Sequence, residues 1–183
     1  NPKWFSKKYS LFYKLIIPRI CKNAWKILTV SKFSKKEIIN HYNIDCNKIK
    51  VIYNALPNAL KNIPSPKFEA QKEKYILTVG SIEPRKNLQT LINSFNELET
   101  NMQLIIVGNI NPDVFNKNTI INKKKQNSQI KFITNATDEE LANLYKNAIC
   151  FIYIPLYEGF GLPVIEAMHF GCPTIISDIE VFK

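Results

Sequence analysis

Residues 149–170 read ICFIYIPLYEGFGLPVIEAMHF, and this stretch decides the fold. It opens with an apolar run over 149–154 that is typical of a buried strand, and it closes with a helical pattern over 162–170. Two glycines separate the two patterns, and Pro163 suits the first turn of a helix. A strand that leads through a glycine-containing loop into a helix predicts one unit of a parallel α/β sheet.

The same alternation continues on both sides of this stretch. Strands are predicted at 75–79, 103–107, 130–133 and 173–177, helices at 87–98 and 138–147, and a polar helical stretch from about residue 112. Regular exchange of strand and helix predicts a Rossmann-like, doubly wound parallel sheet. The fold class is therefore α/β, with residues 61–183 as its main domain.

Residues 1–60 are predicted to form part of a second domain. The predicted elements are an amphipathic helix over 4–26 bent near Pro18, a strand over 27–30, a helix within 31–42 with Ser34 as its cap, and a strand over 49–53. Residues 54–74 contain several prolines and asparagines and predict a connection, which places the domain boundary near residue 60. Both ends of the chain look cut, which indicates a fragment.

Composition restricts the class of protein. The 183 residues carry a formal charge of +10 and are 45% hydrophobic, which predicts a globular protein that favours anionic partners. The chain has no apolar run of roughly 18 to 20 residues and no signal-peptide pattern at its start, so a cytoplasmic protein is expected. The basic amphipathic residues 4–26 predict either peripheral contact with the inner face of the plasma membrane or packing on the rest of a domain.

The loop of the deciding stretch contains candidate ligand-binding residues. Gly159 and Gly161 permit close approach of a ligand to the backbone, and the helix start beyond them favours an electronegative group. Glu158 lies before that helix and Glu166 lies about one turn inside it, so both carboxylates can face one crevice. Alone, Glu166 would be interpreted as an exposed helix carboxylate, and Glu158 as a loop charge or an N-terminal cap.

A second candidate cluster, VGSIEPRKNL at 79–88, also follows a strand and opens a helix. Arg85 and Lys86 are adjacent cations that could bind a diphosphate, Arg through a bidentate contact and Lys as a point charge. The alternative is that both are solvated surface residues. In parallel sheets ligands bind beyond the carboxyl ends of the strands, where both clusters lie.

The motifs of two nucleotide-binding protein classes and of a metal site are missing from the sequence. Neither a Gly-x-Gly-x-x-Gly fingerprint nor a Gly-Lys-Ser/Thr loop occurs, which argues against a nicotinamide dehydrogenase and a P-loop ATPase. His41 and His169 are interpreted as ordinary residues on helices, so no metal site is predicted.

The run Tyr157 to Pro163 together with Glu166 resembles the two-glutamate donor motif of glycosyltransferase family 4, of GT-B architecture. The resemblance extends to 27–34, similar to the last strand of that family's acceptor-side domain, and to 51–55, similar to the entry to its linker. It implies the donor-binding C-terminal domain of a GT-B glycosyltransferase plus a partial N-terminal domain.

The resemblance also implies roles for individual residues. Lys86, assisted by Arg85, would contact the donor diphosphate, Glu166 the ribose hydroxyls, and Glu158 the transferred sugar as the catalytic residue. The remaining donor contacts would come from the backbone of Gly159, Phe160, Gly161 and Leu162. Many members carry Arg where this chain has Ser81. Neither metal nor cofactor is expected, since cations and helix starts neutralise the leaving diphosphate.

The implied function is transfer of a sugar, with retention, from a nucleotide-diphosphate-sugar to a glycan or lipid-linked acceptor. The subtype at 84–87 resembles mannosyltransferase-like members that build bacterial surface polysaccharide such as lipopolysaccharide or capsule. The chain alone is expected to be inactive. The alternatives are a sugar-nucleotide epimerase on the same scaffold and a basic nucleic-acid-binding protein; no nucleic-acid partner is expected.

Overall fold

The computed structural model describes residue 4 and residues 6–64, 74–109 and 127–183. Within these residues the strands form two parallel sheets. The strands are β1 (Ile27–Thr29), β2 (Ile49–Val51), β3 (Tyr75–Val79), β4 (Gln103–Val107), β5 (Ile130–Ile133), β6 (Cys150–Tyr153) and β7 (Thr174–Ile176). The smaller sheet pairs β1 with β2, and the larger has the order β5-β4-β3-β6-β7.

Except for the first, which precedes β1, the described helices lie between strands along the chain, as the crossovers of a parallel sheet require. They are α1 (Lys7–Asn23), α2 (Lys32–Tyr42), α3 (Asn58–Lys61), α4 (Leu88–Asn96), α5 (Asp138–Asn147) and α6 (Leu162–His169). All strand pairs of the large sheet are parallel. The predicted α/β class is confirmed, and the strand order turns back at β3, where β4 and β6 lie on its two sides.

The large sheet is covered on both faces, because successive residues of β3 point into different cores. Ile76 packs with Leu91 and Phe95 of α4. Leu77 packs on the other face with Tyr145 of α5 and Phe170, which follows α6. Burial on both faces explains why the strands read as continuous apolar runs rather than as alternating patterns.

Three predicted strands and one helix, at 75–79, 103–107, 130–133 and 138–147, have the observed bounds. The remaining elements differ at their ends. The predicted helix over 87–98 is preceded by a tight 3₁₀ turn, Pro84–Lys86, and Asn87 adopts a left-handed conformation between the two. The polar stretch predicted from about residue 112 lies outside the described residues.

The smaller sheet, β1 and β2, packs with helices α1 and α2 around a core of Cys21, Ile44 and Ile49. Helix α1 is one helix that includes Pro18. The cap of α2 is Ser31 and not the predicted Ser34: the Ser31 hydroxyl accepts the Ser34 amide at 3.0 Å. No described helix has both the length and the apolar character needed to cross a membrane.

The connection predicted over 54–74 contains a short helix, α3, that the sequence analysis did not predict. Its Leu60 is 2% exposed and belongs to the core under β3. The prolines on either side concealed this turn, because they interrupt any periodic pattern. One buried leucine anchors the connection to the large sheet.

Gly108 is required by a close approach of two chain segments. A Cβ on Gly108, at the end of β4, would lie 1.9 Å from the carbonyl oxygen of Gly80, at the end of β3. The Gly80 amide donates to the Val107 carbonyl at 2.9 Å, which holds the segments together. The two strand ends therefore approach at a distance that excludes any side chain.

We predict that Gly108→Ala lowers the free energy of unfolding by at least ~2 kcal/mol, since the clash is with backbone and cannot be relieved by a rotamer change. Gly159→Ala is the control: its Cβ would meet nothing closer than 3.5 Å. The control should change stability by less than ~1 kcal/mol. Urea denaturation measures both, and equal stability of the two variants would contradict the described strand geometry.

Candidate functional site

The two predicted clusters meet beyond the carboxyl ends of β3 and β6, which are neighbours in the sheet. The 3₁₀ turn Pro84–Lys86 follows β3, and the loop with Glu158 follows β6. A backbone hydrogen bond from the Leu156 amide to the Arg85 carbonyl, 2.8 Å long, ties the turn to the loop. The arrangement places side chains 72 residues apart in sequence in direct contact.

Lys86 and Glu158 form an ion pair at the centre of the site. The Lys86 Nζ donates to Glu158 Oε2 at 2.6 Å, and both side chains are largely buried. The hydroxyl of Tyr153, the last residue of β6, donates to the same oxygen at 2.5 Å and accepts a hydrogen bond from Lys86. The Gly159 amide donates to the other carboxylate oxygen at 3.0 Å. Glu158 is thus fixed through both oxygens.

Arg85 lies beside this pair and is the more accessible cation. Its guanidinium contacts Glu83 Oε1 at 2.6 Å and Glu158 Oε2 at 3.2 Å. Glu83 is buried and also accepts the Ser81 hydroxyl at 2.8 Å. Ser81 therefore helps to hold the carboxylate that orients Arg85.

The second glutamate lies on α6, in the wall of the larger core. Glu166 is 8% exposed, and its Oε2 accepts the Tyr145 hydroxyl at 2.9 Å. Burial raises the pKa of Glu166, the Tyr145 hydrogen bond opposes that effect, and Asp138 adds to it. A carboxylate kept at a cost in desolvation is typical of a functional site.

The start of α6 offers backbone donors toward the same edge of the sheet. Pro163 has no amide hydrogen, and the Val164 amide donates to the Gly161 carbonyl at 3.0 Å. In the first helical turn this leaves the amide of Leu162 to donate to a bound anion.

The two glycines of the loop, Gly159 and Gly161, have different structural roles. Gly161 has φ +96°, and its open side is filled by Phe182, whose ring carbon would lie 2.5 Å from an added Cβ. Its small size is thus explained by the chain itself rather than by a ligand. Gly159 faces the α2 side with ordinary contact distances, so no internal clash requires a glycine there.

The loop after β6 also contacts the unit that contains the smaller sheet and α2. The Ser34 hydroxyl, on α2, donates to the Gly159 carbonyl at 3.2 Å. The ring of Phe160 lies 6.3 Å from that of Tyr53, and the ring of Tyr157 lies 5.4 Å from that of Phe33. The loop around Glu158 therefore lies where the two units meet.

The charges of the ion pair depend on each other. Burial raises the pKa of Glu158, but hydrogen bonds from Lys86 and Tyr153 and the charges of Lys86 and Arg85 outweigh it and bring the pKa to about 2. Burial lowers the pKa of Lys86, and the Glu158 carboxylate opposes that shift. Glu158 is ionised at neutral pH, so it accepts hydrogen bonds there and does not donate a proton.

The structure brings Arg85, Lys86 and Glu158 together, and it places Glu166 on α6, the helix that follows the Glu158 loop. The alternative that both cations are solvated is wrong for Lys86, which is 9% exposed. Glu83, Tyr145 and Tyr153 were missed. Tyr153 had a weak signal, a polar group at the end of an otherwise apolar strand. The partner of Tyr145 comes from a distant element, whereas Glu83 lies inside the second cluster, next to its partners Ser81 and Arg85.

Two family models match the chain. One, described as glycosyl transferases group 1, matches residues 61–183, and one, described as Glycosyltransferase Family 4, matches residues 2–58. The chain belongs to the group 1 glycosyl transferases. Neither the epimerase nor the nucleic-acid-binding alternative is supported by this match.

Relatives and solved structures agree with this family. The O-antigen chain mannosyltransferase RfbU of Salmonella typhimurium is 32% identical over 94% of this chain and 47% of its own length. The O-antigen chain mannosyltransferase B of Escherichia coli is 34% identical over 86% of this chain and 44% of its own length. The chain thus spans about half the length of these curated relatives.

The structure of Anabaena HepE in complex with UDP-glucose aligns with a TM-score of 0.69 at 16% identity, over 97% of this chain and 50% of that one. An agreement of this size at low identity shows the shared fold. The neighbours of the chain are GT-B glycosyltransferases, which confirms the expected architecture.

Because the pKa of Glu158 is about 2 in the folded protein, below its ordinary value of 4.5, its ionised form stabilises the fold above pH 4.5. This contribution disappears as the pH falls from about 4.5 to about 2. We predict that Glu158→Gln is less stable than the wild type at pH 7 and that the difference shrinks toward zero near pH 2. Urea denaturation across this range measures it.

Glu166→Gln is the control with the opposite sign, because the pKa of Glu166 is raised and its ionised form costs stability at neutral pH. This variant should be at least as stable as the wild type at pH 7. A difference between Glu158→Gln and the wild type that does not vary with pH would contradict the ion-pair assignment.

Proposed function

We propose that this protein is a retaining glycosyltransferase that moves a hexose, mannose in the first instance, from a nucleotide-diphosphate-sugar to a glycan or lipid-linked acceptor of a bacterial surface polysaccharide. One observation carries the proposal: the contact of Lys86 and Arg85 with Glu158 at the ends of β3 and β6, in front of α6. The mannosyltransferase relatives support the choice of sugar.

The contacts of Lys86 and Arg85 with Glu158 indicate how a donor binds. Lys86 and Arg85 exchange the Glu158 carboxylate for the oxygens of the diphosphate, and the Leu162 amide at the start of α6 donates to one of them. Glu158 then accepts hydrogen bonds from hydroxyls of the transferred sugar. Glu166 accepts those of the ribose, with Tyr145 on its other side.

The same charges would serve the reaction. As the bond from sugar to diphosphate breaks, negative charge grows on the leaving oxygen beside Lys86 and Arg85, and positive charge grows on the sugar beside ionised Glu158. The acceptor hydroxyl attacks from the face that the diphosphate leaves and gives its proton to the departing phosphate oxygen, which retains the configuration. NMR of the anomeric proton in product made by the whole protein tests this outcome, and an inverted product would contradict it.

The central test is isothermal titration of the chain with GDP-mannose, UDP-glucose and the matching diphosphates GDP and UDP. We predict that Lys86→Ala weakens binding of the preferred donor by at least about 100-fold, because a buried charge-assisted contact to phosphate is lost. Glu166→Ala should weaken binding of both donor and diphosphate by about tenfold.

Lys131→Ala is the matched control, since Lys131 is an exposed lysine on β5, away from the carboxyl ends of β3 and β6. It should bind as the wild type does. Normal donor binding by both Lys86→Ala and Glu166→Ala would show that the donor site lies elsewhere. We also propose that the donor binds without metal, and addition of EDTA should leave the affinity unchanged.

We further propose that α1 contacts an anionic membrane surface. Its Ile17 and Cys21 face the small core, and the opposite face exposes Leu11, Phe12 and Leu15. Helical spacing puts Lys8, Arg19 and Lys22 on that same exposed face. Apolar side chains flanked by cations suit the interface of an anionic bilayer.

Co-sedimentation with vesicles tests this contact. The chain should bind phosphatidylglycerol vesicles, and the double variant Leu11→Glu/Phe12→Glu should lose at least about tenfold in binding, because it removes apolar burial and adds repulsion. Leu98→Glu, an exposed leucine beyond α4, is the control and should bind normally. Equal binding by all three proteins, or equal binding to phosphatidylcholine alone, would contradict the proposal.

A further inference from the structure

Each glutamate of the site accepts a hydrogen bond from a buried tyrosine hydroxyl. Tyr153 on β6 donates to Glu158 Oε2 at 2.5 Å, and Tyr145 on α5 donates to Glu166 Oε2 at 2.9 Å. Tyr153 is 2% exposed and Tyr145 is fully buried. A buried tyrosine hydroxyl thus donates to a carboxylate at both glutamates of the site.

We propose that Tyr153 and Tyr145 are positioning residues: Tyr153 orients Glu158 for the transferred sugar, and Tyr145 orients Glu166 for the ribose. This inference rests on the proposed function, since it assigns ligands to the two carboxylates. Neither hydroxyl contacts the ligand itself. Each fixes instead the orientation in which its carboxylate meets the ligand.

Tyr153 is held rigidly by its neighbours. Its ring stacks on Phe151 at 5.8 Å and lies 6.2 Å from the ring of Phe182. The Lys86 ammonium lies 4.9 Å from the ring centroid and also donates to the hydroxyl. The hydroxyl has one proton, and with Lys86 as donor to it, that proton goes to Glu158.

The arrangement gives Tyr153 a specific part in donor binding. When Lys86 turns from Glu158 to a diphosphate, the carboxylate loses its strongest partner. The Tyr153 hydroxyl and the Gly159 amide then remain to hold Glu158 in the orientation that meets the sugar. Burial raises the pKa of Tyr153, which keeps the hydroxyl protonated and able to donate at neutral pH.

Tyr145 occupies the equivalent place behind Glu166. Its ring packs on Phe151 at 5.5 Å and on Phe170 at 6.0 Å, inside the larger core. Helix α5 is itself anchored by a capping box between Thr137 and Glu140. The hydroxyl therefore presents a fixed donor to Glu166 Oε2 and leaves Oε1 as the oxygen for ribose hydroxyls.

The experiment compares ligand ratios in the phenylalanine variants, which keep each ring and remove only the hydroxyl. Isothermal titration of the chain uses GDP-mannose, GDP and 2′-deoxy-GDP, or the corresponding UDP-glucose series if the wild type prefers it. Tyr153→Phe should reduce the affinity ratio of nucleotide-sugar to diphosphate by about tenfold, the value of one hydrogen bond to a charged group. Its ratio of ribo- to deoxyribonucleotide should stay unchanged.

Tyr145→Phe should give the opposite pattern, with a reduced preference for the ribonucleotide over 2′-deoxy-GDP and an unchanged ratio of sugar to diphosphate. Tyr75→Phe is the control, because the Tyr75 hydroxyl donates to a backbone carbonyl, that of Leu144, at 2.8 Å. It should lower the melting temperature and move neither ratio.

The inference is overturned if either variant leaves its own ratio unchanged, or if a variant weakens all three ligands equally, as a general loss of structure would. Failure of the proposed function is a different result, in which the wild-type chain itself binds none of the nucleotides. The two failures are therefore distinguished by the wild-type titration alone.

Discussion

The ion pair between Lys86 and Glu158 is the contact on which the rest of the site depends. It joins the turn after β3 to the loop after β6, and the Arg85 guanidinium and Tyr153 hydroxyl are arranged around it. The partners can meet only because β3 and β6 are neighbours and both loops leave at the same edge. The strand order of the sheet is thus a precondition for the chemistry.

Burial of the Lys86–Glu158 pair has a desolvation cost for the folded protein, but it also prepares the two charges to bind a ligand. Breaking a buried pair by removing one partner leaves an uncompensated charge, whereas an anionic ligand can replace one partner by another. A diphosphate supplies oxygens to the cations and frees Glu158 for hydroxyls. Glu166 fits the same account, because its burial opposes ionisation and no cation compensates it among the contacts described.

The fold class could be predicted because the periodicity of each element and the alternation of strands and helices along the chain are local properties of the sequence. The glycine-containing loop, Arg85, Lys86 and both glutamates followed from residue type and from their places after strands. The cap of α2 was misread by one turn: Ser31 and Ser34 are both serines in one hydrogen-bonded pair, and only the backbone conformation of Ser31 shows which one precedes the helix. Helix α3 was hidden by flanking prolines.

The positioning groups could not be predicted for a different reason. Tyr145 contacts Glu166 across 21 residues and Lys86 contacts Tyr153 across 67. The first contact depends on how the helices pack, and the second on the pairing of β3 with β6. Gly161 was expected to make room for a ligand, yet its open side holds Phe182. Such contacts are set by tertiary structure, and no local pattern contains them.

The central claim is that the Lys86–Glu158 pair opens to receive a nucleotide-sugar. A crystal structure of the chain with its preferred donor tests it most directly. The account predicts a diphosphate oxygen within hydrogen-bonding distance of Lys86 Nζ, a sugar hydroxyl on Glu158 and a ribose hydroxyl on Glu166. A donor bound elsewhere, with the Lys86–Glu158 contact unchanged, would contradict it.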